Sequence, residues 1–338
     1  MGQVQSNPET ATDPLGSALE PGAGLPAVLG SVVGRSPREL LIMRFKRDKF
    51  AIGGVFVLIF VGAIALFAPA ITHLLGPGHR PNDVTFFRTM TTDIGLPKGP
   101  SISEKFFFGA DQAGRDEFVR VLYGARTSLF IAFFATGMAV VIGVVIGLVS
   151  GFYRGRIDTF LSRMTDVVLS LPVLLLALGL ASACGVQGCL GGLLQPGLML
   201  VSCIIGFFSW PYIARIVRGQ VLSLREKEFI EASRAQGAGN LRIMLREVLP
   251  NIAAPIIVYT TLIIPNNILF EAALSYLGVG VPDTTPSLGK ALSDASSIFT
   301  VAWWMMLFPG LVLFTITLAF NLVGDGLRDA LDPRTARK

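Results

Sequence analysis

Apolar residues gather into six runs, at about 50–71, 127–150, 164–183, 198–216, 251–274 and 302–323, separated by charged or turn-rich stretches. Each approaches the roughly 20 residues a helix needs to cross a hydrocarbon core of about 30 Å. The pattern therefore predicts an all-α integral membrane protein with six transmembrane helices. Two runs are interrupted. The third holds Asp166 and Pro172, and the fifth holds Pro255, Pro265, Asn266, Asn267 and Glu271. Polar groups and prolines inside a span suit helices packed against protein or lining a cavity, where freed backbone groups find partners.

The polar stretches between the runs predict the rest of the architecture. Residues 1–34 are rich in Pro, Gly, Ala and Ser without a compact apolar core, which reads as a disordered cytoplasmic tail and not as a secretory signal. Residues 35–72 combine a basic stretch, ending Arg44-Phe-Lys-Arg-Asp-Lys49, with the first span. That stretch reads either as an interfacial amphipathic helix or as charged flanking of the span. Residues 73–125 form a long extracytoplasmic loop with four prolines after residue 76 and with aromatic clusters Phe86-Phe87 and Phe106-Phe107-Phe108, enough to pack a small cap. Its end, Phe108 to Asp116, has the glycines and charges of tight turns, suiting a rigid elbow or a contact with an arriving partner. Residues 126–326 then form the core, and 327–338 a second cytoplasmic tail.

Within that core, 218–250 is polar enough to leave the bilayer and reads as helix, break, helix. Residues 224–236 are good helix formers, Gly237 is a natural stop, and Asn240 offers a cap for the next helix. Ala232 and Ser233 leave a flat surface on which another protein can close. Glu231 and Arg234 can pair within one turn or be captured by that partner. In the second span, Gly143, Gly147 and Gly151 share a face that admits close approach of a neighbouring span or of a second subunit.

Charge adds orientation. Of 28 lysines and arginines, six lie at 35–49, three at 154–163, seven at 215–246 and four at the C-terminus. With the N-terminus inside, these 20 fall on the cytoplasmic side, as basic residues in short loops do. The net charge of +5 then reports topology and calls for no nucleic acid. Apolar residues make up 52% of the 338 and charged residues 15%, which excludes an ordinary soluble domain. Cys184 and Cys189 fall in a short outer loop, as a possible disulfide or as two thiols, and Cys203 lies in the fourth span. His73 and His79 have no ligand spacing to a cysteine or to each other, so no metal site is expected.

The docking loop reads Glu231-Ala-Ser-Arg-Ala-Gln-Gly237, followed by Leu249-Pro250, and resembles the EAA motif of ATP-binding-cassette (ABC) importer permeases. Further stretches carry the likeness. They are Arg44 to Ala70; Phe108 to Leu129, with Leu122-Tyr-Gly-Ala-Arg-Thr-Ser-Leu129; Asp158 to Leu178; Leu274-Ser-Tyr-Leu-Gly-Val-Gly280 with Pro286-Ser-Leu-Gly289; and Phe308 to Pro333. Together the chain resembles the C-type permease subunits of dipeptide and oligopeptide ABC importers. Ser233 departs from the family's second alanine, Phe106-Phe107 stand where many relatives have His-Pro, and the outer loop and N-terminal tail are longer than usual.

The resemblance implies a type I ABC importer permease fold with a cytoplasmic coupling helix, in the inner or plasma membrane. It implies a homologous B-type permease, two ABC ATPase subunits or domains, and an extracytoplasmic substrate-binding protein as partners. The chain itself is then not an enzyme and binds no cofactor; ATP and Mg belong to the ATPases. In agreement, no phosphate-binding Gly-x4-Gly-Lys-Ser/Thr loop exists, since Gly289-Lys290 is followed by alanine and preceded by Thr284 at the first glycine position. Glu231, Ala232, Ser233, Arg234 and Gly237 are the expected ATPase contacts. Asn266, Asn267 and Glu271 either line the substrate path or bond between helices. The cargo is expected to be di- or oligopeptide, with nickel, glutathione or haem as alternatives on the same fold. An ion-coupled secondary transporter is the rival class, although no proton or sodium relay is evident.

Overall fold

The computed structural model describes residues 37–185, 188–189, 191–192 and 194–331. The tail at 1–34 and the end of the tail at 327–338 lie outside the described residues. The helices are α1 (Pro37–Arg47), α2 (Lys49–Leu66), α3 (Ala68–Leu75), α4 (Phe87–Met90), α5 (Glu117–Phe152), α6 (Arg156–Ser170) and α7 (Val173–Cys184). They continue with α8 (Leu198–Leu224), α9 (Glu228–Ala235), α10 (Asn240–Ile243), α11 (Leu249–Asn251), α12 (Ala253–Tyr276), α13 (Leu288–Ala295) and α14 (Trp304–Leu331). Pairing between extended segments is limited to isolated bridges among the described residues.

Five helices, α2, α5, α8, α12 and α14, are long and apolar enough to span a membrane. The third predicted span is not a straight helix. It is the pair α6 and α7, bent by 83° at Leu171-Pro172. Leu171 is extended, as a residue preceding proline prefers, and Pro172 has no N–H with which to continue the α6 ladder. The first predicted span, 50–71, also divides: α2 ends at Leu66, and α3 restarts with Pro69 in its first turn.

The second span begins ten residues earlier than its apolar run. Asp116 caps α5 by accepting from the N–H groups of Phe118 (2.9 Å) and Val119 (3.5 Å), so the helix reaches 36 residues, about 54 Å. Asp116 also bonds His79 Nδ1 at 2.6 Å. Burial raises the Asp116 carboxyl from its ordinary range, against the opposing pull of His79. His79 in turn sits among Phe86 and Phe106, which with Met90 and Ala110 form the small apolar cluster of the segment between α3 and α5.

Packing places α8 at the centre, with 67% of its most apolar stretch buried, and α2 at the edge, with 17%. The glycine face of α5 meets α8 of the same chain. A Cβ at Gly143 would lie 2.8 Å from the carbonyl oxygen of Trp210, one at Gly147 2.6 Å from that of Ala214, and one at Gly151 2.9 Å from that of Arg218. Gly206 returns the approach against Ala135.

Candidate functional site

The loop after α8 is anchored at both ends and exposed in the middle. The expected helix over 224–236 is broken. α8 ends at Leu224, and Arg225 turns back so that its guanidinium donates to the carbonyls of Phe152 (2.7 Å) and Gly151 (3.4 Å) at the end of α5. Those carbonyls lack helical partners, which makes an arginine a fitting cap. Burial, joined by the charges of Arg154 and Arg234, lowers the Arg225 pKa from its ordinary value. Arg154 pairs with Glu226 beside it.

α9 then rests on one residue. Ile230 is fully buried and belongs to one apolar cluster with residues of α5 (Leu148, Phe152), α8 (Ile213, Val217, Val221) and the returning segment (Ile243, Met244, Val248, Ile252). Burying one isoleucine is worth about 1.5–3 kcal/mol, enough to hold two turns in place on a scaffold. The other side of the helix is open: Glu228, Phe229, Glu231, Ala232, Arg234 and Ala235 are exposed and Ser233 is half-buried. No ion pair joins Glu231 to Arg234; the Arg234 guanidinium lies over the Phe152 ring, 5.5 Å from its centroid.

Gly237 ends α9 at φ +82°, with its N–H on the carbonyl of Arg234 and that of Ala238 on Ser233. Only glycine adopts this conformation without strain. Asn240 does not act as the next cap; Gly239 occupies that position, and Asn240 is the first helical residue with no side-chain capping bond. The returning segment of the loop contains a π-helix over Met244–Val248, with the Leu249 N–H donating to the Met244 carbonyl five residues back. Pro250 cannot donate to Arg246, so the α-helical ladder is incomplete at the Leu-Pro of the motif.

A second region lies among α7, α8 and α12. A cavity of about 590 Å³ is lined by Phe208, Tyr212, Tyr259, Phe270, Asn266 and Asn267 among others, with no charged side chain among the described residues at its wall. Asn266 is exposed to it. Asn267 is instead committed to the protein: its Nδ2 donates to Thr136 Oγ1 (2.8 Å) and its Oδ1 accepts from Ser209 (2.8 Å), tying α12 to α5 and α8. Glu271 lies away from the cavity. It is fully buried, accepting from Ser128 (2.7 Å) and Ser275 (2.7 Å), and Ser128 also accepts from the Leu288 N–H (3.4 Å) at the start of α13.

Sequence reasoning passed over two ionic clusters. Asp158 of α6 receives both Arg218 donors (2.6 and 2.9 Å) and the Ser150 hydroxyl (2.6 Å), joining α6, α8 and α5. Removing that carboxylate strands a guanidinium that is one-third exposed. We expect Asp158→Ala to cost about 2 kcal/mol, read as a lower midpoint of thermal unfolding in detergent, with Asp158→Asn recovering part of it. Asp166, in turn, pairs with Arg215 of α8 at 2.7 Å. Around the starts of α5 and α13, Arg120, itself buried, contacts Asp294 (3.0 Å) and Asp111 (3.5 Å); Arg115 bonds Asp111 (2.6 Å); and Lys290 bridges Asp283 (2.7 Å) and Asp294 (3.0 Å). Asp111 and Arg115, and Lys290 and Asp294, are each four residues apart; the fold brings the two pairs together through Arg115, Arg120 and Asp294. Cys184 and Cys189 are joined by a disulfide at the C-terminal end of α7. No cluster of His, Cys, Asp and Glu suited to a metal ion occurs among the described residues.

Residues 143–337 match the family described as "Binding-protein-dependent transport system inner membrane component", and residues 36–86 match "N-terminal TM domain of oligopeptide transport permease C". The chain is 39% identical to the dipeptide transport system permease protein DppC of Alkalihalophilus pseudofirmus, over 88% of this chain and 90% of that one. It is 36% identical to the oligopeptide transport system permease protein OppC of Bacillus subtilis, over 87% and 88%. Its fold is similar to a chain of the MetNI methionine ABC transporter, with TM-score 0.52 and 20% identity over 63% of this chain and 96% of that one. The helical membrane fold and these matches converge: the chain belongs to the binding-protein-dependent transport system inner membrane components, and is a non-catalytic, multi-pass permease subunit of an ABC importer.

Proposed function

We propose that this chain, with a homologous B-type permease, forms the path by which di- or oligopeptides delivered by an extracytoplasmic substrate-binding protein cross the membrane. The names of its relatives supply the cargo class. The observation that carries the mechanism is α9, exposed over Glu231, Ala232 and Arg234 yet pinned by Ile230 to the cores of α5 and α8. A partner ATPase gripping α9 displaces those spans with it. Two ATPase subunits or domains, holding ATP and Mg, would thus turn the path from inward-facing to outward-facing. Both termini are cytoplasmic in this reading, because 20 of the 28 basic residues then lie inside. The units are an interfacial helix and first span at 35–72, an outer loop at 73–125, and a permease core at 126–326 with its coupling loop at 218–250. Cys184 and Cys189 then fall on the oxidising side.

Mass spectrometry of the gently solubilised assembly tests the partners: a second permease and an ATPase in fixed stoichiometry support the reading, and a lone homo-oligomer overturns it. Uptake of labelled dipeptide, nickel, glutathione and haem into vesicles carrying the assembly then identifies the cargo. Ion-coupled transport has no support from the family. For the path, Asn266→Cys in a Cys203→Ala background is expected to react with a hydrophilic maleimide at a rate that changes with ATP, whereas buried Ser275→Cys stays unreactive. Equal labelling of both would remove the cavity from the path.

A further inference from the structure

We propose that α1 and the first turn of α2 form a binding site for anionic phospholipid headgroups. The exposure of residues 41–50 has the period of a helix. Leu41, Arg44, Phe45 and Asp48 are half-buried, and Phe45 and Asp48 close on Gly326 of α14, where an added Cβ would lie 3.5 Å and 3.2 Å from them. The opposite face is exposed and of two chemistries. It carries Ile42 (52% exposed), Met43 and Phe50 (77%), interleaved with Lys46, Arg47 and Lys49.

This mixture has a physical reading only at a membrane boundary. In water, three large exposed apolar side chains on ten residues are unfavourable; deep in hydrocarbon, three cations are prohibitive. At the headgroup level both are satisfied, since apolar side chains enter the acyl region while lysine and arginine stems extend toward phosphate. The position along the chain agrees. α1 ends at Arg47 and α2, a spanning helix, begins at Lys49, so this face stands where the chain enters the bilayer. None of Lys46, Arg47 and Lys49 takes part in an ion pair with the described residues, whereas Asp48 is used as the α2 cap, donated to by Phe50 (2.9 Å) and Ala51 (3.2 Å). The single acid of α1, Glu39, lies two turns away.

The site therefore selects charge: each basic side chain near an anionic surface contributes about fivefold in affinity, so three give on the order of 100-fold preference over a zwitterionic lipid.

The test uses the assembled transporter in detergent, with phosphatidylglycerol and phosphatidylcholine as probes and native mass spectrometry counting retained lipid. The wild type is expected to retain phosphatidylglycerol preferentially, and Lys46→Gln/Arg47→Gln/Lys49→Gln to lose at least tenfold of that preference, with Lys98→Gln unaffected. Raising salt should reduce the wild-type preference. An unchanged preference in the triple variant, or a wild-type preference independent of salt, overturns the proposal. Displacement of the lipid by equimolar inorganic phosphate does so too, since it would assign the face to free anion. Should the triple variant fail to assemble, the salt and phosphate arms decide alone.

Discussion

Replacing Gly237 with proline is expected to abolish substrate-stimulated ATP hydrolysis by the assembled transporter while leaving the chain inserted in the membrane. Gly237 sits at φ +82°, and its N–H closes α9 onto the carbonyl of Arg234. Proline requires φ near −65° and has no N–H, so both are lost, at a cost of about 3 kcal/mol or more. That cost exceeds the anchoring of a two-turn helix by Ile230 alone, at about 1.5–3 kcal/mol. α9 is therefore displaced or unwound. The spans are untouched, because nothing lies within 4 Å of a Cβ at Gly237. Gly237→Ala, which keeps the N–H but strains the backbone by about 1 kcal/mol, should fall between the two. Glu231→Lys changes no backbone bond but reverses the charge on the exposed face, and it should lose stimulation as well. ATPase assays in the presence and absence of loaded binding protein measure all three; unchanged stimulation in Gly237→Pro would remove α9 from the coupling.

The second large effect is on assembly of the bundle. Gly147→Val should eliminate correctly folded chain, because its Cβ would stand 2.6 Å from the Ala214 carbonyl oxygen and 2.7 Å from Val217 Cβ. Neither can yield without moving α8, the most buried span. Gly137→Val on the same helix is the control: nothing lies within 4 Å of its Cβ, so the isolated chain should fold as the wild type does. Fluorescence-detected size exclusion of tagged chains reads the difference. Equal monodisperse yields from both variants would contradict the tight α5–α8 contact.

Much of this was legible in sequence, and the reasons are specific. The spans were visible because the bilayer demands a long apolar run irrespective of what the run touches. Gly237 was visible because a positive φ at a helix end has one residue that fits it. By contrast, the start of α5 was misjudged by hydropathy, since an Asp116 cap and the buried Glu117 and Arg120 extend a helix whose apolar run begins later. The continuity of the helix over 224–236 was misjudged too, because helix propensity does not register that Arg225 finds better partners in the open end of α5.

The three polar residues of the fifth span show where local reasoning stops. Asn266, Asn267 and Glu271 share one helix and one apolar context, yet Asn266 opens onto the cavity, Asn267 is consumed by Thr136 and Ser209, and Glu271 is enclosed by Ser128 and Ser275. Which neighbour each meets depends on the rotation of α12 against α5, α8 and α13. By itself the sequence determined the membrane class, the span count, the turn at Gly237 and the family, since each follows from local chemistry or from motifs read in order. Only the tertiary structure decided that the glycine stripe serves a contact within the chain, that the third span is broken by 83°, and that α9 hangs on Ile230. Those outcomes rest on contacts between residues remote in sequence, whose energies are set by packing and not by the residues one at a time.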